Sequence, residues 1–104
     1  MKNKHIGYWN DNKNSFLNLP MPIENSANND QIVKMLDNLN KLKNKSTTLY
    51  YKGSSICRIC NCVNGSGEFH YINKGVKYIV PEGIIHYISD HKVLIQDLID
   101  ININ

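Results

Sequence analysis

Two stretches decide how the second half of this chain folds: CRICNC at 57–62 and IIHYISDH at 84–91. The first contains Cys57-x2-Cys60 and the second His86-x4-His91. A Cys-x2-Cys turn delivers two thiolates from one knuckle, and a helix end delivers two imidazoles. Together they supply the four ligands of a tetrahedral zinc site, with both spacings inside the structural range. Mixed sulfur and imidazole donors favour zinc among the common metals. Two thiolates balance the charge of a divalent ion, so the site can be partly buried without a large desolvation cost. Four protein ligands leave no position for an activated water, which makes such a site structural. CRICNC also permits three cysteines with one histidine, leaving His86 or His91 free; the reading taken here keeps Cys62 outside the ligand set.

The 25 residues between Cys60 and His86 exceed the roughly 12–15 of a small finger. EFHYIN and VKYIV account for them as two strands of a hairpin, with Lys74-Gly75 as the turn. The order knuckle, hairpin, helix is an enlarged ββα finger. Pro81 suits the first turn of the helix PEGIIHYISD. Residues five apart on a regular helix differ by about 140° in direction, so the helix is expected to loosen around Ser89–Asp90 and to present His91 from a frayed last turn.

Working outward, DQIVKMLDNLNKLKN gives the clearest helix, assigned to 30–45. Ile32, Met35/Leu36, Leu39 and Leu42 form its apolar stripe, and Asn29 or Asp30 is expected to cap it. TTLYY (47–51) reads as a short strand broken by Gly53, and 54–68 as a tight turn region. VLIQDLIDI reads as a short C-terminal helix. Residues 1–29 show no periodicity and read as an irregular arm, with Pro20 and Pro22 extending LPMPI and Trp9 anchoring the arm on the core. The expectation is one α+β domain over 1–104: arm, amphipathic helix at 30–45, and a zinc-binding ββα-like unit at 47–104.

Composition narrows the function. The 104 residues carry 12 Lys+Arg against 9 Asp+Glu, a net charge of +3 that is too small to announce a nucleic-acid binder. The basic excess lies in the first half, partly in Lys41, Lys43 and Lys45. Three clustered cysteines do not make a disulfide framework. No apolar run approaches the ~18 residues of a membrane span, and MKNKHIGYWNDNKN has no secretory signal pattern, so an intracellular (cytoplasmic or nuclear) protein without membrane association is expected.

The motifs GYWND, LPMP, GSSICRICNCVNGSGEF and VPEGIIHYISDHKV resemble a family of short, largely uncharacterised zinc-finger-like proteins. Its pattern is Trp-Asn-Asp, Leu-Pro-x-Pro, Cys-Arg-x-Cys, Asn-Gly-Ser-x-Glu, Trp-Pro-x-Gly and His-Tyr-x3-4-His. The resemblance spans most of the chain, with Val80 standing where the pattern has Trp. It implies Cys57, Cys60, His86 and His91 as ligands, and Arg58, Asn64, Gly65, Ser66, Glu68, Pro81, Gly83 and Tyr87 as framework, but no activity. Asn64-Gly65-Ser66 suits a turn. Glu68 could receive an imidazole N–H from His86 or His91, or pair with Arg58.

The function expected is a binding or adaptor module with a protein or nucleic-acid partner. A nucleic-acid-binding finger is the alternative, but PEGIIHYISD carries two acids and no Lys or Arg, so Lys41, Lys43 and Lys45 would be the contacts. A ββα-metal nuclease needs an open metal position, and a Cys-x2-Cys thiol oxidoreductase needs the pair at a helix start; neither suits this pattern.

Overall fold

The computed structural model describes residues 2–9 and 21–103, with the backbone alone at 51–53. It is an α+β structure. The described elements are β1 (Lys2–His5), α1 (Asn29–Asn44), β2 (Thr47–Ile56), β3 (Val63–Asn73), β4 (Val76–Pro81), α2 (Ile84–His91) and α3 (Gln96–Asp100). The strands form one mixed sheet in the order β1-β4-β3-β2, in which β1 runs parallel to β4 and the other pairs are antiparallel.

The β3–β4 hairpin follows from its turn. Asn73 pairs with Val76, and both intervening residues, Lys74 (φ 50°) and Gly75 (φ 79°), are left-handed. Two positive φ values match the right-handed twist of the flanking strands, and Gly75 adopts one without a steric cost. Alternation then sorts β3 into faces. Gly67, Phe69 and Tyr71 are buried, while Glu68, His70 and Ile72 lie on the opposite face.

The buried face meets the helices. Met35, Leu39 and Leu42 of α1, Ile84, Tyr87 and Ile88 of α2, Leu98 of α3 and Phe69, Tyr71 and Val80 of the sheet share one core, joined by Ile6, Val93 and Ile95. Asn38 is the polar member of the α1 stripe. Its Nδ2 donates to the carbonyl of Leu98 at 2.8 Å and of Ile99 at 3.3 Å, which answers carbonyls at the end of α3. Among the described residues no helix is long and apolar enough to cross a membrane.

Several expectations need correction. The arm is not wholly irregular, because KNKH forms β1 with Lys2 opposite Val76. Asn28 caps α1, not Asn29 or Asp30: its side chain accepts from Gln31 N while the Gln31 side chain accepts from Asn28 N. The strand beginning at Thr47 runs past Gly53 to Ile56, with pairing irregularities between Tyr50 and Ile56. Asn64-Gly65-Ser66 belongs to β3 and is not a turn. Pro81 closes β4, and α2 begins three residues later at Ile84. Trp9 does pack on the core, edge-on to Tyr87 at 5.6 Å between ring centroids. Phe16, Leu17, Leu19 and Pro20 lie outside the described residues.

Candidate metal centre

The β2–β3 connection carries the two cysteines. Cys57 N donates to Cys62 O (2.9 Å) and Asn61 N to Cys57 O (3.0 Å), with Asn61 at φ 65°, so the chain reverses within CRICNC. Ile59 N donates to Cys57 Sγ at 3.4 Å. Arg58 N donates to the Tyr87 hydroxyl at 2.7 Å and pins the knuckle to α2. Cys57 is fully buried, whereas Cys60 and Cys62 are exposed.

Helix α2 carries the histidines. Ile84, Tyr87, Ile88 and His91 occupy its buried stripe at three- and four-residue spacing, and His86 lies on its flank. The helix does not loosen at Ser89–Asp90. It stays regular through His91, its last residue, and a left-handed cap at Lys92 (φ 51°) follows. The two imidazoles nevertheless converge, with centroids 4.9 Å apart. Each ring reaches far enough from its Cα to offset the angular separation of the two backbone positions.

One donor atom from each of Cys57, Cys60, His86 and His91 lies within 4.8 Å of the others, and the four could hold a metal ion. Cys62 is not in the cluster. Zinc–sulfur and zinc–nitrogen distances of about 2.3 and 2.0–2.1 Å imply tetrahedral edges of roughly 3.3–3.8 Å. The Cys60 Sγ to His86 Nε2 separation, 3.3 Å, already has that length. The 4.8 Å limit exceeds such an edge by only about 1 Å.

The outer contacts orient both rings the same way. His91 Nδ1 lies 2.7 Å from Glu24 Oε2, and His86 Nδ1 lies 3.1 Å from Asp90 Oδ2. With each Nδ1 engaged by a carboxylate, each ring turns its Nε2 towards the sulfurs. His91 Nε2 is buried with no hydrogen-bond partner. A buried, unsatisfied nitrogen beside two thiols and a second imidazole is what a metal would satisfy. Glu24 reaches this position because its segment runs beside the end of α2: Asn25 N donates to His91 O and Ala27 N to Lys92 O, both at 2.9 Å.

In the metal-free chain the charges follow this geometry. The Glu24 carboxylate, with the Cys60 sulfur second, lifts His91 to about 9. Cys60 falls to about 7, first through a backbone hydrogen bond from Cys62 and then through His91. Cys62 is pushed up by the neighbouring Cys60 sulfur, and Tyr87 is raised chiefly by burial.

The remaining candidate residues lie elsewhere. Glu68 accepts from the Tyr8 hydroxyl at 2.5 Å and sits 2.7 Å from His70 Nε2; the carboxylates beside the two cluster imidazoles are Glu24 and Asp90. Arg58 turns its Nη1 onto Ile56 O rather than onto a carboxylate. Lys41 and Lys43 occupy the last turn of α1 and Lys45 caps it. Lys41 is 3.2 Å from Asp37, and the Lys43 ammonium stands 5.6 Å from the Phe69 ring centre. Comparison with protein-family models, curated proteins and solved structures finds no match to this chain.

Asp90 was reachable from sequence, four residues after His86 on the same helix. Glu24 carried no such signal, because only the path of the N-terminal segment brings it to His91.

Proposed function

We propose that the chain is a zinc-binding module in which Cys57, Cys60, His86 and His91 form a structural site that fastens the cysteine knuckle to α2. The observation that carries this reading is the shared posture of the two imidazoles: Nδ1 on a carboxylate, Nε2 towards the sulfurs, with His91 Nε2 buried and unsatisfied. Zinc is favoured by two soft and two borderline donors within tetrahedral reach. Knuckle, β3, β4 and α2 follow one another as in an enlarged ββα finger, in keeping with the resemblance to short zinc-finger-like proteins. A closed ligand set leaves no position for a catalytic water, and a buried Cys57 suits a ligand better than a redox thiol. The module acts by binding a partner. Nucleic acid is the weaker candidate, since Lys41 pairs with Asp37 and the Lys43 ammonium stands over the Phe69 ring.

The test is elemental analysis of protein purified without added metal, with cobalt substitution to report ligand type. One equivalent of zinc and a cobalt spectrum of a tetrahedral two-sulfur, two-nitrogen site are expected. Cys57→Ser loses the metal and Cys62→Ser keeps it. Full metal retention by Cys57→Ser, or loss of metal by Cys62→Ser, sinks the ligand assignment.

A further inference from the structure

The knuckle holds a third sulfur that the metal cluster leaves out. Cys62 is not among the four clustered residues, and Asn61, left-handed at φ 65°, folds the chain back between it and Cys60. Two backbone bonds close the turn: Cys57 N donates to Cys62 O at 2.9 Å and Asn61 N to Cys57 O at 3.0 Å. Within it the Cys60 sulfur accepts from the Cys62 backbone N–H, and the two side chains are hydrogen-bonded to each other. One sulfur of the cluster is therefore in contact with a thiol outside it.

Exposure separates the three cysteines. Cys57 is fully buried, while Cys60 and Cys62 are both exposed. An oxidant arriving from solvent meets Cys60 before Cys57, and the sulfur beside Cys60 on the open side is Cys62. Redox-sensing cysteines are accessible thiolates placed next to a resolving cysteine, and a metal-bound cysteine is held as the thiolate. A disulfide needs its two Cα atoms about 4.4–6.8 Å apart, which a left-handed turn over one intervening residue favours. An exposed bridge closed so tightly belongs to the readily reduced class, so thiols can undo it.

We propose that Cys60 and Cys62 form a redox switch on the metal centre, in which a hydroperoxide joins them in a disulfide and the loss of the Cys60 sulfur from the ligand set releases the ion. The switch rests on the zinc-site reading above and is the regulation of that same site. The Cys60 thiolate attacks the outer oxygen of the hydroperoxide and breaks the O–O bond. Cys60 becomes a sulfenic acid, and the departing oxyanion takes a proton from water. The Cys62 thiol then attacks the sulfenic sulfur, the S–O bond breaks, and the thiol proton leaves with the hydroxyl as water. The two sulfurs together give up two electrons, which the hydroperoxide receives. Cys57, His86 and His91 are left one ligand short of a closed set.

The chain's own cleavage sites make the linkage readable. Trypsin cuts after Lys52, Arg58 and Lys74, which puts Cys57 on peptide 53–58 and both Cys60 and Cys62 on peptide 59–74. Zinc-loaded protein freed of reductant is treated with hydrogen peroxide while a chromophoric chelator reads the zinc released. The protein is then unfolded, its free thiols are alkylated and its tryptic peptides are weighed. The expected result is loss of the bound zinc as peptide 59–74 becomes lighter by its two thiol hydrogens, with Cys57 alkylated, and recovery of zinc binding after dithiothreitol. Cys62→Ser keeps zinc but removes the resolving thiol. Its Cys60 goes on to the sulfinic acid, which thiols do not reduce, so recovery after dithiothreitol falls several-fold. Zinc retained through an excess of peroxide, zinc lost with peptides 53–58 and 59–74 joined instead, or full recovery by Cys62→Ser overturns the switch. Zinc content before treatment reads the centre separately. Protein that carries none sinks the site and the switch with it, whereas loaded protein giving any of those three results sinks the switch alone.

Discussion

Glu24→Gln isolates the outer contact of the proposed metal centre. The carboxylate lies 2.7 Å from His91 Nδ1, and it is the largest cause of the lift in that imidazole to about 9. Replacing it keeps an oxygen that can accept from Nδ1–H but removes the charge, so the ring becomes a poorer base and loses part of its orientation. Partners of this kind change metal affinity by about 10–100-fold. The Glu24 side chain is 48% exposed, so solvent screens its charge and the low end applies. About tenfold weaker zinc binding is expected, or roughly 1.4 kcal/mol. Competition against a chromophoric chelator at neutral pH measures it. Asp90→Asn provides the internal control: Asp90 is 3.1 Å from His86 Nδ1 and 61% exposed, so its loss costs less. Unchanged affinity in Glu24→Gln, or a larger loss in Asp90→Asn, refutes the claim that Glu24 holds His91 for the metal.

The metal-free protein carries two opposed pH dependences. His91, raised to about 9, contributes stability that is complete below its usual 6.5 and lost as pH rises through 9, whereas Cys60, lowered to about 7, contributes stability that is complete above its usual 9 and lost as pH falls through 7. Melting curves in chelator and reductant should therefore vary little between pH 7 and 9, fall with pH in Cys60→Ser, and rise with pH in Glu24→Gln; a rising curve in Cys60→Ser contradicts the pairing. Asn38→Ala leaves the Leu98 and Ile99 carbonyls unanswered beneath α1, which should lower urea stability by about 1–3 kcal/mol and speed amide exchange in α3. Gly83→Ala sets a Cβ 2.6 Å from Asn64 Oδ1 and 2.9 Å from its Nδ2, so a loss of about 1–3 kcal/mol is expected in the same assay; wild-type stability would mean that Asn64 moves freely.

What the sequence made legible was local. The Lys74-Gly75 turn, the stripe of α1 and the four metal-cluster residues each declare themselves within a few positions or by a ligand spacing. Strand β1 did not, because Lys2–His5 are four exposed residues with no apolar alternation and a parallel partner far along the chain. Asn64-Gly65-Ser66 has the composition of a turn, yet its glycine answers a different need: a Cβ on Gly65 would lie 3.0 Å from Gly83 N and 3.1 Å from the Glu82 side chain. The cap of α1 was readable, since Asn28 and Gln31 have the capping-box spacing, but adjacent asparagines obscured which one led it. Glu24 becomes a neighbour of the cluster only through tertiary contacts, which periodicity does not encode.

The parallel pairing of Lys2 with Val76 has a consequence for the order of assembly. As the chain leaves the ribosome, its earliest residues must wait for β4 before they find a place, and Cys57 and Cys60 emerge well before the two histidines that join them in the cluster. Contacts so distant in sequence slow folding, because the loop must close before any pairing rewards it. Refolding should therefore be limited by the docking of this first strand, and a nascent chain stalled before His86 would hold its cysteines open to competing metals.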